Sequence, residues 1–545
     1  MLFDSEPIPF YLSPGRCVNR TEKNMLTVDD KVRQFDAVLP SAGKAAQLAL
    51  IKGAPGYVAD ADGGGGNWQL TADGPTMKVS IIAKLVTLAA NKFAILDPLG
   101  MGIEMEAGKP GWNDAMNGLP GLFGSEMPSA YELHELVKFT GQAIDEIGRE
   151  VHVPEELSSL LSGLDVQLRR LSTKAASDFE YWDKVHDALE AYRAATDATF
   201  SGRFVAWAPA KLGKASGLFG AMLIRMDQGI ERAVTFSQKG GEVVPVVDGY
   251  AAREGGGVSP TYFKYTVTKY ELTGGTSSRG LPTVKVGGFS PTVLPLFLEG
   301  PTRQLKTITT HEDAKAVYEA VRTSDLRDVP LQMYKVSASL SEQPLEIGRM
   351  KAFDSGWLEN ESVWLHMSYK WYLELLRAGL YIEFFREIRT GLVSFMDPEV
   401  FGRSPLEAAS FIVSSAFPDK TLHGSGFLAR LSGSTAEFLS MWNHMMVGAS
   451  PFSVDADSKK LQLALEPAIA SWMWRADGTL QFTFLGAIDV TYVMASKKNS
   501  WEANVKSYDL TGAVGKVHVD GPAVPSPLAE EVRGLKYTAM TVTLE

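Results

Sequence analysis

The sequence has 545 residues, of which 45% are hydrophobic and 21% are charged, the balance of a folded protein rather than a disordered chain. Its net charge of −11 argues against nonspecific nucleic-acid binding, which depends on Lys and Arg neutralising phosphates. The single cysteine, Cys17, excludes an internal disulfide and a cysteine-based metal site. This length exceeds what one hydrophobic core usually supports, so we expect two domains.

The N-terminal segment does not have the pattern of a signal peptide. Acidic residues and the prolines Pro7, Pro9 and Pro14 occur where a basic stretch and an apolar run would be needed. Nowhere does the sequence hold about 18 or more consecutive apolar residues, the length that crosses a membrane as a helix. We therefore expect a cytoplasmic protein with no membrane partner.

Apolar residues that recur at three- and four-residue steps predict a series of helices, each with one buried face. These helices are predicted at 44–52, 78–92, 129–150, 155–194, 220–236, 311–323, 363–388 and 426–446. Between 240 and 301 the pattern changes to glycine, proline and β-branched runs such as 263–272 and 283–286. This change indicates an insertion made of strands and loops.

Alternating apolar and polar residues at 480–484, 487–493 and 537–544 predict a small antiparallel β domain near the C-terminus. We therefore expect a mainly α-helical catalytic domain over 1–455, with the insertion near 240–301, and a β domain over 456–545. Paired helices joined by variable loops favour an α/α toroid, but periodicity does not distinguish a toroid from a helix bundle.

The glycine-rich segment 104–121 carries the first candidate site. It contains Glu104, Glu106 and Asp114, and it places Trp112 two residues before Asp114. A carboxylic acid protonates a glycosidic oxygen at neutral pH only if its pKa is raised, and an aromatic wall that excludes water has this effect. Trp112 could also stack on a sugar. The alternative is a structural loop in which Asp114 caps the next turn.

Two further segments carry candidate residues. Glu359 and His366 are seven residues apart, so a helix through both would place them on one face. His366 could then bind an anion, although a single histidine beside an apolar helix is more often structural. Ser432 and Gly433 precede a helical run, where free backbone N–H groups favour an anion. The alternative there is an ordinary helix cap.

Other common chemistries fit the sequence poorly. The glycine run 63–66 lacks the Gly-Lys-Ser/Thr ending of a phosphate-binding loop. The eight histidines include no His-Glu-x-x-His arrangement, and no Gly-x-Ser-x-Gly nucleophile elbow occurs.

The candidate segments together resemble the inverting phosphorylases of the cellobiose and chitobiose phosphorylase type, a group that includes β-1,3-glucan phosphorylases. In that group a Trp-Asn-Asp motif supplies the general acid, and it matches Trp112, Asn113 and Asp114. The resemblance therefore implies that Asp114 is the catalytic acid and that Trp112 and Asn113 contact the substrate. The longer sequence Glu-Ala-Gly-Lys-Pro-Gly-Trp-Asn-Asp at 106–114 is more similar to the β-1,3-glucan phosphorylase branch than to cellobiose phosphorylase itself.

The other two motifs of the group also have counterparts. A Glu-Asn pair followed by His matches Glu359, Asn360 and His366, which implies two substrate-binding residues and a phosphate-binding histidine. Ser432 and Gly433 resemble the Thr-Gly pair that holds phosphate in this group. The three motifs occur in the same order and at similar separations as in the group.

The resemblance implies an (α/α)6 toroid of the six-hairpin glycosidase type followed by a β domain. It also implies reversible phosphorolysis of a β-linked glucan or oligosaccharide to a sugar 1-phosphate with inversion. Inorganic phosphate would be the co-substrate, with no metal ion, no organic cofactor and no nucleic-acid partner. A homodimer is compatible with it.

The sequence departs from the group in two respects. Leu358 stands where disaccharide phosphorylases have a lysine, and 113 residues ahead of Asp114 leave no room for the usual N-terminal β-sandwich. We therefore expect an N-terminally truncated toroid. Two alternatives stay open: an inverting glycoside hydrolase with Glu104, Glu106 or Glu359 as base, and a non-catalytic glucan-binding fragment that needs an N-terminal partner.

Overall fold

The computed structural model describes residues 69–106, 111–197, 199–238, 257–276, 280–404, 407–428 and 432–545, without the side chains of 238 and 432. It also gives the short backbone strands Ile8–Pro9, Val58–Ala59 and Gly65–Gly66. The helix predicted at 44–52 lies outside the described residues.

The helices follow most of the predicted segments to within a few residues. They are α1 (Ile81–Phe93), α2 (Met127–Ile147), α3 (Glu155–Ser172), α4 (Asp178–Thr196), α5 (Leu218–Gln238), α6 (Glu299–Thr307), α7 (His311–Arg322), α8 (Leu365–Arg377), α9 (Tyr381–Gly391), α10 (Ser432–Val447) and α11 (Leu528–Arg533). One-turn helices cover Pro209–Leu212 and Pro398–Phe401.

Two segments predicted as single helices are each a pair. The prediction of one helix over 155–194 is wrong, because Lys174 turns the chain at φ 59° and Ser177 begins α4 by accepting the N–H of Glu180 at 3.2 Å. The prediction over 363–388 is wrong because Gly379, at φ 73°, separates α8 from α9. Apolar residues continue at helical spacing through both breaks, so periodicity could not reveal them.

The strands form several small sheets. The described strands are β4 (Lys78–Val79), β5 (Ile103–Glu104), β6 (Ser125–Glu126), β7 (Val151–Pro154), β8 (Phe204–Trp207), β9 (Tyr262–Thr276), β10 (Pro282–Val293), β11 (Arg327–Asp328), β12 (Met333–Tyr334), β13 (Val363–Trp364), β14 (Phe411–Ile412), β15 (Gly426–Phe427), β16 (Phe452–Val454), β17 (Leu461–Leu463), β18 (Thr479–Phe484), β19 (Ile488–Val493), β20 (Val505–Gly512), β21 (Gly515–Asp520), β22 (Val524–Pro525) and β23 (Tyr537–Leu544). The three preceding short strands are β1 to β3 in chain order.

The predicted insertion contains a long antiparallel hairpin. Strands β9 and β10 pair from Phe263 with Val293 outward to Thr276 with Pro282. At its base the hairpin joins β6 and then β5, which gives the sheet order β10-β9-β6-β5. The hairpin thereby anchors the segment that leads toward Asp114, because β5 directly precedes it in the chain.

The C-terminal strands form a five-stranded sheet of order β18-β19-β23-β20-β21. Strands β19 and β23 pair in parallel, so the prediction of a purely antiparallel β domain is wrong at this pair. A parallel pair needs a long crossover connection, and β20, β21, β22 and α11 lie between the two strands in the chain. Sequence alternation predicts strands but not which of them become neighbours.

The architecture is therefore mixed, with many helices and several small sheets. The chain divides into two compact units. The first unit holds Met1–Thr307, Glu319–Leu326 and Val336–Glu361, and the second holds Ile308–Tyr318, Arg327–Lys335 and Ser362–Glu545. The second unit thus combines helices α8 to α10 with the C-terminal sheet, whereas the domain boundary at 455/456 stays a prediction.

Candidate functional site

The loop that leads to Asp114 is held by a buried carboxylate. Asp97 accepts backbone N–H groups from Met101 and Gly102, each at 2.9 Å, and the hydroxyl of Ser125 at 2.8 Å. Burial raises the pKa of Asp97, although these donors oppose the shift. The contacts fix the turn before β5 and tie it to β6, which sets the direction in which the chain enters the candidate loop.

Asp114 begins a single 3-10 turn, Asp114–Met116, and its side chain is 62% exposed. Its Oδ1 accepts a hydrogen bond from Arg349 Nη2 at 2.8 Å. The expectation that an aromatic wall excludes water from this carboxyl is therefore wrong. Instead, a guanidinium group orients Asp114.

Arg349 was not found by sequence reasoning, yet the backbone places it beside Asp114. The backbone N–H of Arg349 donates to Asn117 Oδ1 at 3.1 Å. The preceding residue, Gly348, has φ 135°, and a Cβ there would lie 2.4 Å from the carbonyl oxygen of Ala115. Glycine is thus required for this close approach, but no local sequence pattern connects Arg349 with Asp114, which lies 235 positions away.

Trp112 and Asn113 are neighbours in the chain but differ in exposure. The Trp112 side chain is 43% exposed, and its indole N–H donates to the buried carboxylate of Glu299. Asn113 is buried. A half-exposed indole fixed through its N–H can present its ring to a sugar, and the stacking role of Trp112 stays a prediction.

Glu359 lies in a turn before β13 and not in a helix, since α8 begins only at Leu365. The condition under which Glu359 and His366 would share a helix face is therefore not met. Burial raises the pKa of Glu359, and the nearby Asp114 adds to the shift while Arg349 opposes it. Arg349 Nη2 lies 3.9 Å from Glu359 Oε1, so a single guanidinium group links Asp114 and Glu359.

Asn360, next to Glu359, is buried and donates its side-chain N–H to the carbonyl of Phe353 at 2.7 Å. This bond closes the turn that carries Glu359. The substrate contact expected of Asn360 stays a prediction.

The two other candidate bases are already engaged. Glu104 is 4% exposed and accepts Nε1–H of Trp182 at 2.5 Å, with His186 Nε2 at 3.0 Å. Glu106 pairs with Arg193 at 3.0 Å. These contacts fit structural roles for Glu104 and Glu106 and leave Glu359 as the carboxylate associated with Asp114.

In the second unit, His366 and Gly433 are in direct contact. His366 is the second residue of α8 and Gly433 the second residue of α10. A Cβ on Gly433 would lie 2.4 Å from Cε1 and Nδ1 of His366, so the imidazole packs against the bare backbone. The first turns of α8 and α10 therefore lie side by side, and Ser432 begins α10, although its side chain is not described.

Glu437 holds the other edge of the imidazole, and sequence reasoning missed it. Its Oε1 lies 3.5 Å from His366 Nε2. Burial would raise the pKa of Glu437, but His366 together with the nearby cations Lys370 and Arg377 keeps this pKa below its usual value. The charged carboxylate fixes the ring orientation, and its position four residues after Gly433, one helical turn on, was the available signal.

The structure thus gathers the predicted residues in two groups. Asp114 and Glu359 meet at Arg349 in the first unit, and His366 meets Gly433 in the second unit. Among the described residues, no group of His, Cys, Asp and Glu is arranged to hold a metal ion. The described helices include none that is long and apolar enough to cross a membrane. Comparison of the chain with protein-family models and with curated proteins gave no match.

Proposed function

We propose that this chain is a carbohydrate phosphorylase that cleaves a β-linked glucan or oligosaccharide with inorganic phosphate. Asp114 donates a proton to the glycosidic oxygen, and a phosphate oxygen attacks the anomeric carbon with inversion. The products are a sugar α-1-phosphate and a shortened acceptor. The proposal includes an (α/α)6 toroid, a cytoplasmic location, no metal or organic cofactor, and a homodimer as an allowed state.

The observation that carries the proposal is the contact between Gly433 and the His366 ring. It brings together the first turns of α8 and α10. Unsatisfied backbone N–H groups and the helix dipoles make such ends favourable for an anion. His366 adds a ring donor whose orientation Glu437 fixes. Phosphate is already a nucleophile, so this arrangement needs no carboxylate base.

The contacts of Asp114 support its role as the acid. Arg349 orients the carboxylate, and Trp112 presents a half-exposed ring two residues away. A sugar bound over the loop displaces water from Asp114. Desolvation favours the protonated carboxyl that the reaction requires.

The proposal is tested in the synthetic direction, with glucose 1-phosphate, a panel of β-linked acceptors and phosphate release as the readout. We expect wild type to release phosphate only with an acceptor, and Asp114→Asn to lower the rate by about 100-fold or more, the range of a lost general acid. Asp73→Asn, in an exposed turn, is the matched control. A folded Asp114→Asn variant that keeps most of the activity would contradict the assignment.

An inverting glycoside hydrolase is the second candidate, favoured by the link that Arg349 makes between Asp114 and Glu359. An inverting hydrolase needs a second carboxylate to activate water, and Glu359 is in position to be considered for that role. Oligosaccharides incubated with and without phosphate separate the two reactions, because a hydrolase releases sugar equally in both. Glu359→Gln would then abolish the phosphate-independent reaction.

A further inference from the structure

A cavity of about 460 Å³ lies in the first unit, apart from all of the candidate site residues. It is bounded by the end of α3, the start of α4 and one face of α5. The α5 residues that line it include Ala221, Arg225, Gln228 and Arg232, which follow one another at helical three- and four-residue steps. One stripe of α5 is thus directed into the cavity.

The lining of this cavity is cationic in a chain of net charge −11. The lining contains four cationic and two acidic side chains. The cations are Arg169, Lys174, Arg225 and Arg232, and the carboxylates are Asp165 and Asp178. A positive pocket on an acidic protein attracts anions locally while the rest of the surface repels them.

Arg225 and Arg232 form the inner cationic pair, with Asp178 between them. Asp178 Oδ1 lies 2.8 Å from Arg225 Nη1, and its Oδ2 lies 3.3 Å from Arg232 Nη1. One carboxylate neutralises one of the two guanidinium groups. One positive charge of this cluster is therefore left uncompensated by Asp178.

Arg225 is only 3% exposed, and its Nε and Nη2 have no hydrogen-bond acceptor within the described part of the chain. A buried donor without an acceptor destabilises the fold. The guanidinium packs against Gly100, which has no side chain to obstruct it, and Arg232 donates to the carbonyl of Leu99 at 2.7 Å. Arg225 and Arg232 also both line the cavity, so an anion bound there lies beside this cationic pair.

We propose that this cavity binds a small phosphate ester, with the phosphoryl group held by Arg225 and Arg232. Guanidinium groups match phosphate oxygens in pairs of hydrogen bonds. The volume far exceeds that of a phosphate ion, and Leu168 and Ile224 give the lining an apolar wall, so the ligand carries an uncharged organic body. Sugar phosphates and nucleoside monophosphates share this chemistry. The inference does not depend on the reaction proposed above.

The test is calorimetric titration of the full chain with glucose 6-phosphate, AMP and inorganic phosphate. Ile224 lines the cavity and is 55% exposed, so Ile224→Glu adds a negative charge without removing a buried contact, and Ile224→Gln is its neutral match. We expect at least one ester to bind wild type and Ile224→Gln alike, and Ile224→Glu to weaken binding by about tenfold or more through like-charge repulsion. Arg232→Gln, checked for folding by its melting temperature, should weaken binding of the same ester.

Tighter binding of glucose 6-phosphate or of AMP shows which kind of organic group the cavity accepts. Either result supports the proposal. The proposal is overturned if neither ester binds wild type up to about 10 mM, well above the millimolar affinity expected of even a weak site. It is also overturned if the two Ile224 variants bind equally, or if inorganic phosphate binds as tightly as both esters. None of these outcomes bears on Asp114 or His366, so the reaction proposed above is judged separately.

Discussion

At residue 433 the absence of a side chain determines where the His366 ring can lie. A Cβ on Gly433 would approach the ring to 2.4 Å, a distance at which the imidazole must move. We expect Gly433→Ala to displace the ring and to cost about 1–3 kcal/mol of stability, as overpacking usually does. If His366 holds phosphate, the KM for phosphate in the cleavage direction should rise about tenfold or more while the KM for the oligosaccharide stays unchanged.

The matched control for this change is Gly121→Ala. A Cβ at Gly121 has no atom within 4 Å, and its backbone has no positive φ. This control should leave both the melting temperature and the phosphate KM unchanged. A Gly433→Ala variant that behaves like Gly121→Ala would show that the packing against His366 has no consequence.

Glu359 gives a pH-dependent prediction. Burial, with a contribution from Asp114, raises its pKa above the usual 4.5 in spite of Arg349. A raised carboxyl pKa stabilises the fold below the unfolded-state pKa, and that stability is lost as pH rises through the folded-state pKa. Glu359→Gln should therefore be more stable than wild type at pH 7, by less than about 1 kcal/mol after allowance for solvent screening.

The advantage of Glu359→Gln should shrink as the pH falls toward 4.5, the ordinary value for a glutamate. Urea unfolding of both proteins at several pH values between 7 and 4.5 measures this difference in stability. Glu150→Gln, at an exposed position, should show no comparable trend. An advantage that instead grows on acidification would mean that the Arg349 contact outweighs burial.

Sequence reasoning at the residue scale found the groups but not their neighbours. Asp114, Glu359 and His366 stand out because carboxylates, aromatics and glycines cluster around them in the chain. Arg349 lies 235 positions from Asp114, and no local pattern could connect the two. The same limit explains why the water-excluding wall expected around Asp114 was wrong: exposure depends on residues that are distant in sequence.

At the scale of elements, the loop before β5 depends on Asp97. The Asp97 carboxylate accepts hydrogen bonds from Met101, Gly102 and Ser125, and Asp97→Ala would leave these buried donors without an acceptor. We expect a loss of about 3–5 kcal/mol in the free energy of unfolding, since each unsatisfied donor costs about 1–3 kcal/mol and neighbouring losses are not additive. Chemical denaturation followed by fluorescence measures it.

Asp73→Ala, in an exposed turn, is the control and should change the free energy of unfolding by less than about 0.5 kcal/mol. A similarly small loss in Asp97→Ala would mean that the loop reorganises around the missing carboxylate.

The elements themselves were largely predictable, and their breaks and pairings were not. Apolar spacing predicted α1, α2, α5 and α7 because each buries one continuous stripe. It could not reveal the turn at Lys174, which rests on a single backbone conformation. It also could not predict the parallel pairing of β19 with β23, since alternation is the same in parallel and antiparallel strands that bury one face.

At the scale of the whole molecule, the predicted boundary at 455/456 falls inside the second compact unit. Alternation begins near 458, which suggested a separate β domain over 456–545. In the structure the second unit also includes helices α8 to α10. The Tyr492 hydroxyl in β19 donates to the carbonyl of Met446 at 2.6 Å, a link across the predicted boundary that a composition change cannot reveal.

Phe385 in α9 offers a direct test of this division. It is 5% exposed, its ring stacks on Trp501 with centroids 5.6 Å apart, and it meets Trp472 edge-on at 6.1 Å. Both tryptophans belong to the C-terminal β region, so Phe385→Ala should cost about 3–5 kcal/mol through the cavity it leaves. If α9 and the sheet unfold as one unit, the amides of β19 and β23 should lose hydrogen-exchange protection together with those of α9.

Ile382, on the same helix but 65% exposed, provides the matched control, and Ile382→Ala should leave exchange in the sheet unchanged. Loss of protection in α9 alone, with β19 and β23 unaffected in Phe385→Ala, would instead support an independent domain over 456–545. The physical distinction is whether the aromatic contacts of Trp472 and Trp501 couple the helix to the sheet strongly enough for both to open together. Equal losses in protection would mean that these contacts, and not the change in sequence pattern near 458, set the limits of the second unit.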